Sequence, residues 1–156
     1  MELVVMSAAF AMGAAIPHKY SGGGGNASPP LEWGTVPDGT KSIAVLCDDP
    51  DAPAGDWVHW VLFNLPPDAR KLEEGIPASP RLPDGAVQGL NDYNRNGYAG
   101  PWPPPGRPHR YHFKVYALDA RLSLTEKARK ADLLKAMQGH ILAQGLLTGT
   151  FGRQAL

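Results

Sequence analysis

Residues 42–63 read Ser-Ile-Ala-Val-Leu-Cys-Asp-Asp-Pro-Asp-Ala-Pro-Ala-Gly-Asp-Trp-Val-His-Trp-Val-Leu-Phe. Ser42 to Asp48 is an apolar run that ends in a carboxylate pair. Trp57 to Phe63 is rich in aromatic and branched residues, which favour a pleated, half-buried backbone. Between the two lies Asp49-Pro50-Asp51-Ala52-Pro53, where two prolines stiffen the loop and fix where its carboxylates point. The stretch therefore predicts two short strands joined by a rigid turn.

The same pattern extends in both directions. Arg110 to Leu118 alternates, with Tyr111, Phe113, Val115 and Ala117 on one face. Glu2 to Met6 reads as a buried first strand. The chain has 18 glycines and 16 prolines in 156 residues, and the prolines cluster at 29–30, 50–53, 66–67, 77–83 and 101–108. Proline lacks the amide donor a helix needs and restricts the residue before it, so the chain cannot be mainly helical. Short strands punctuated by Pro/Gly loops predict a mostly β, antiparallel sandwich or barrel. Helix is expected only near the end. Ser123 and Glu126 have capping-box spacing. From about Ala131, Leu134, Met137 and Ile141 fall on one helical face, with Leu133 and Leu142 beside it. Gly145 and Gly149 favour turns around a last short strand, Leu146 to Phe151. With no repeat, linker or second pattern, residues 1–156 read as one domain.

Composition excludes several function classes. Lys plus Arg and Asp plus Glu are 15 each, so no net field draws in nucleic acid or an anionic membrane. Anion binding must come from local geometry. Cys47 is the only cysteine. An intrachain disulfide and a cysteine-rich zinc site are thereby excluded, which fits a reducing, cytoplasmic setting. The apolar N-terminus carries Glu2 and no preceding Lys or Arg, unlike a secretory leader. No run approaches the roughly 20 apolar residues of a membrane span. Gly22 to Gly25 lacks the Gly-Lys-Ser/Thr ending of a phosphate loop and reads as flexible.

Two clusters carry chemistry. In the first, Trp57, His59, Val61 and Phe63 are expected to share a face, so His59 sits in a largely apolar row. Taken alone it reads as a satisfied core histidine. A carboxylate on the Asp49–Pro53 loop could accept from one ring nitrogen and leave the other facing a cavity. The second cluster is Gly97-Tyr98-Ala99-Gly100-Pro101-Trp102-Pro103-Pro104-Pro105-Gly106, then His109-Arg110-Tyr111. Gly100 permits close backbone approach. His109 and Tyr111 face one way, Arg110 and His112 the other. Alone, this reads as a turn followed by an ordinary amphipathic strand.

Together, Asp-Pro-Asp-Ala-Pro, the following His-Trp, and Gly-Pro-x-Pro-Pro-x-Gly-x-x-His-Arg-Tyr resemble the phosphatidylethanolamine-binding protein family. Ile16-Pro17-x-x-Tyr20, Ser28-Pro29-Pro30-Leu31-x-Trp33, Gln88-Gly89-x-Asn91-Asp92 and Gly149-Thr150-Phe151 resemble its bacterial and archaeal, Raf-kinase-inhibitor-like branch. The resemblance implies an antiparallel β-sandwich with a pocket for phosphate, phosphoethanolamine or similar anions. The pocket would be built from Asp49, His59, His109, Tyr111 and the Gly100 backbone N–H. Two imidazoles, a phenol and an amide would supply the donors. Asp49 would hold a histidine in one tautomer and favour imidazolium, since a carboxylate is a poor direct ligand for a dianion. Asp51 would brace the loop, with Pro50, Pro53 and Pro101 supporting it. A cis Ala52-Pro53 bond and a homodimer are also implied, and no cofactor or metal.

Some positions depart from the family pattern. Trp102 stands where many relatives carry a small residue, often cysteine, and is expected to narrow the pocket mouth. Tyr93-Asn94 replaces an aromatic-glycine pair. The sequence stops at Leu156, so the C-terminal helix that borders the pocket in animal members is expected to be missing. The missing helix counts against kinase inhibition and phospholipid-chain binding, while a regulatory or kinase-inhibitor-like role stays open as an implication of the resemblance. Other readings stay open. A hydrolase would have Asp49, His59 and His109 but no Gly-x-Ser-x-Gly elbow, and Cys47 beside two acids makes a poor thiolate. A metal site would have two histidines and a carboxylate but no fourth ligand. A protein-interaction module with a vestigial pocket could use Trp102 and Tyr98 toward an unknown partner.

Overall fold

The computed structural model describes residues 2–153. The expectation about the chain's end falls outside them. Seven strands and one α-helix follow in order: β1 (Leu31–Glu32), β2 (Ser42–Asp49), β3 (Trp57–Leu65), β4 (Lys71–Leu72), β5 (Val87–Gln88), β6 (His109–Leu118), α1 (Lys130–Met137) and β7 (Ile141–Phe151). Five strands form an antiparallel sheet in the order β5-β3-β2-β6-β7, and β1 pairs with β4 in a second, two-stranded sheet. The mostly β, antiparallel expectation is met.

The central strand β2 is buried along its whole length, as a strand covered on both faces must be. One face packs Ile43, Val45 and Cys47 with Trp60, Leu62, Phe113 and Val115. The other packs Ala44 and Leu46 with Val61, Phe63, Leu133 and Met137. The expected face of β3 is therefore corrected. Trp60 opposes Cys47 and Val58 opposes Asp48, so His59 is the extra residue of a β-bulge. The bulge puts His59 and Trp60 on the same face and sends Val61 and Phe63 to the other, as an inserted residue does to strand alternation.

The helix is shorter than its sequence pattern. Ser123 and Glu126 do not open it: residues 121–125 belong to no regular element and Glu126–Lys127 form a turn. The Asn64 side chain, on a residue with φ of 60°, donates to Leu122 O at 2.9 Å and accepts from Leu122 N at 2.8 Å. The helix instead starts after Arg129, whose N–H donates to Asp132 at 2.9 Å. It ends at Met137, before Gly139 with φ of 79°. Ile141 and Leu142 thus begin β7. The buried helical face is Leu133 and Met137, while Leu134 is 40 % exposed.

Gly145 and Gly149 lie within β7, not in turns flanking it. They are contact points for the N-terminal segment, which crosses the strand as a strap. A Cβ on Gly145 would stand 2.2 Å from Leu3 O, and one on Gly149 2.6 Å from Ile16. Residues 2–6 bury Leu3 and Val5 but make only isolated bridges, so they form an edge cover and not the strand expected. No helix among the described residues is long and apolar enough to cross a membrane.

Candidate functional site

At the end of β2 the adjacent carboxylates Asp48 and Asp49 turn to opposite faces. Asp48, 1 % exposed, is held by Lys114 Nζ at 3.1 Å and Lys130 Nζ at 2.8 Å. Lys130 also pairs with Asp56 at the end of the loop. Asp49, 3 % exposed, accepts from His109 Nδ1 at 2.7 Å and from Asp51 N at 2.8 Å. The second bond is an Asx turn that folds the proline loop back on itself. Because a carboxylate only accepts, it fixes the His109 proton on Nδ1 and leaves Nε2 for other partners.

His59, 2 % exposed, is oriented by a different group than expected. No carboxylate holds it. Its Nδ1 lies 2.5 Å from the Ala99 carbonyl oxygen, and Ala99 N donates back to His59 O at 2.9 Å. A carbonyl oxygen can only accept, so Nδ1 carries the proton and Nε2 is again the free nitrogen. Burial pushes the His59 imidazole below its ordinary range, outweighing the Ala99 bond and the charges of Asp49 and Asp48. The imidazolium expected at this position is therefore disfavoured by the protein's own groups.

Tyr111 stands between the two histidines. Its ring centroid is 5.2 Å from that of His59 and 6.5 Å from that of His109. Burial first, then the Asp49 charge and a hydrogen bond to the Asp49 carboxylate, pushes its phenol upward, so the hydroxyl stays protonated. Asp49, His59, His109 and Tyr111 line one cavity of about 220 Å³. Pro53, Trp57, Tyr93 and Trp102 are also in its walls. Trp57 lies two residues from His59 and could have been read from strand period. Tyr93 could not, since it reaches the cavity from a distant loop and packs edge-on against both Trp57 and His59.

Other members of the expected set sit elsewhere. Gly100 does not present its N–H to this cavity. That group donates to Asn26 Oδ1 at 2.6 Å. The glycine is required because a Cβ would stand 2.1 Å from Tyr20 O, so the close approach it permits is to another loop. The carbonyl of Pro101 extends this contact by accepting from Gly22 N at 2.8 Å. Asp51 braces the loop across the cavity's edge, taking Arg110 N at 2.8 Å, Nε at 2.9 Å and Nη2 at 2.8 Å. Those bonds hold its carboxyl well below the usual range. The Ala52-Pro53 bond is trans, as no cis peptide occurs among the described residues. The loop reverses through the Asp49 Asx turn after Pro50 and through Gly55, at φ of 100° with its N–H on Ala52 O at 2.9 Å. Trp102 is 40 % exposed in the cavity wall, with the Arg153 guanidinium 4.1 Å from its ring centroid. His112 faces away and bonds Thr148 Oγ1 at 2.9 Å. Cys47 is buried, and burial followed by Asp48 and Asp49 pushes its thiol well up.

Comparison with known proteins gives the family. A family model described as phosphatidylethanolamine-binding protein matches residues 6–152. A UPF0098 protein of Methanothermobacter thermautotrophicus is 54 % identical over 138 residues, 88 % of this chain and 91 % of its own length. The solved structure of a phosphatidylethanolamine-binding protein homolog from Chlamydia trachomatis superposes with a TM-score of 0.89 at 42 % identity, covering 98 % of this chain and 99 % of that one. YbcL of E. coli, a member of the same family, superposes at 0.90 with 34 % identity over 99 % and 100 % of the two chains. In sequence motifs and in sheet architecture alike, this chain belongs to the phosphatidylethanolamine-binding protein family.

Proposed function

We propose that the protein binds phosphate and phosphomonoester groups in the cavity formed by Asp49, His59, His109 and Tyr111. The observation that carries the proposal is the commitment of both Nδ1 atoms, His59 to Ala99 O and His109 to Asp49. Each ring then has only Nε2 left, and in a neutral ring Nε2 is a lone pair. A fully deprotonated anion would meet two lone pairs and a nearby carboxylate. An anion that carries a proton, or that brings one with it, meets two acceptors for that proton. The cavity thus favours anions that ionise near neutral pH. Phosphate fits this description and sulfate of similar size does not. The name of the family, printed for the matching family model and for the two solved structures, points to a phosphoester head group, and the phosphate is the part of that group this chemistry would grip.

The test is calorimetric titration of phosphate and of sulfate near pH 7. Phosphate should bind at least about tenfold more tightly than sulfate, since a missing proton forfeits a charge-assisted hydrogen bond of about 1.5–3 kcal/mol. The His59→Ala/His109→Ala double variant should lose phosphate binding. Equal affinity for the two anions, or full phosphate affinity in the double variant, would place the site elsewhere.

A further inference from the structure

The cavity has two neighbours. On the His109 side it shares Pro53, Pro104 and His109 with a groove of about 680 Å³. That groove is walled largely by prolines, which have no side-chain donors, and it contains the Asp51 carboxylate, paired with Arg110, and Arg107. On the other side the cavity shares Tyr93 and Trp102 with a groove of about 500 Å³. This one differs in chemistry. Its only charged lining residue is Arg95, whose guanidinium makes no hydrogen bond or ion pair among the described residues.

Asn26 adds a second donor there. Its Oδ1 is committed to Gly100 N at 2.6 Å, so the orientation of its amide is settled and Nδ2 is the end left over. Asn26 holds a φ of 53°, a conformation asparagine tolerates better than most residues. Tyr93 and Trp102, 44 % and 40 % exposed, stand between the two compartments and present ring surface to both. A ligand small enough for the cavity alone would leave Arg95 and the Asn26 amide unused.

We propose that the preferred ligand has two anionic groups: a phosphomonoester held in the cavity and a carboxylate or second phosphate that passes Tyr93 and Trp102 to reach Arg95 and Asn26. This rests on the phosphate reading of the cavity and extends it to the rest of the molecule. In the opposite groove Arg110 is taken up by Asp51, whose carboxylate repels a second anion, which leaves Arg107 alone among prolines.

Two six-carbon esters provide the test. Sorbitol 6-phosphate and 6-phosphogluconate differ only at the carbon farthest from the phosphate, an alcohol in one and a carboxylate in the other. Calorimetry at low salt should find 6-phosphogluconate bound about fivefold more tightly, the scale of one partly exposed charge pair. Arg95→Gln should abolish that difference and leave inorganic phosphate affinity unchanged. Asn26→Asp keeps the acceptor for Gly100 N but replaces the free donor with a repelling oxygen, so it should reverse the preference. Equal binding of the two esters by the wild-type protein, with phosphate still bound, would overturn this proposal and leave the phosphate reading standing. So would a preference that survives Arg95→Gln and is lost in Arg107→Gln. Failure of all three compounds to bind would overturn both.

Discussion

Raising the pH from 5.5 to 8 should weaken phosphate binding, and the size of the effect follows from the two histidines. Both Nδ1 atoms are committed, so a donor toward the anion appears on either ring only when Nε2 takes a proton. His59 is pushed down by burial, which means the protein resists protonation there, and a bound anion supplies the missing counter-charge. Binding and proton uptake are therefore coupled. Phosphate gains its second charge within the same interval and would by itself bind more strongly. That gain is modest beside the loss of a charge-assisted hydrogen bond of about 1.5–3 kcal/mol, a factor of roughly ten or more. The net expectation is a fall of at least about tenfold. Calorimetry near pH 7.5 in two buffers of different ionisation enthalpy should report uptake of about one proton per phosphate. Affinity that is flat with pH, with no proton taken up, would refute this account of the site.

Three further outcomes follow from the packing. Asp49→Asn removes the charge that fixes His109 Nδ1 and should weaken phosphate binding about tenfold, on the scale of one charged hydrogen bond, as read by the same titration. Lys130→Met leaves the buried Asp48, one of whose oxygens already lacks a partner, with Lys114 alone; urea denaturation should show a loss of about 1–3 kcal/mol, reduced when Asp48→Asn is added. Because the folded-state value of His59 is depressed, its neutral form contributes stability above the unfolded value of about 6.5, and that stability is lost as pH falls below it. Thermal unfolding of the phosphate-free protein should accordingly move to lower temperature between pH 7.5 and 5.5, and added phosphate should offset the shift.

What could be read in the chain was what is local. Proline density and strand-length apolar runs limited the helix and predicted an antiparallel, mostly β domain, because both act through the backbone of a few neighbouring residues. Period-two alternation put His109 and Tyr111 on one face and His112 on the other, and strand β6 pairs with β7 without a register shift there. The long proline motifs carried the family resemblance and the Asp49–His109 neighbourhood with it.

Tertiary structure decided the rest, wherever two distant segments set each other's geometry. The face of His59 depends on a bulge fixed by pairing with β2, and one inserted residue reversed the expected partners of Val61 and Phe63. Its tautomer depends on the carbonyl of Ala99, 40 residues away. Gly100 read as a ligand-facing amide because glycine signals close approach, yet the backbone that approaches is Tyr20's. The expected start of the helix at Ser123 yielded to the Asn64 amide, which takes up both backbone groups of Leu122. Tyr93 and Asn26 came into view only when loops closed around the sheet. Local preferences amount to a kcal/mol or less per residue, and a satisfied buried hydrogen bond or an avoided clash outweighs them.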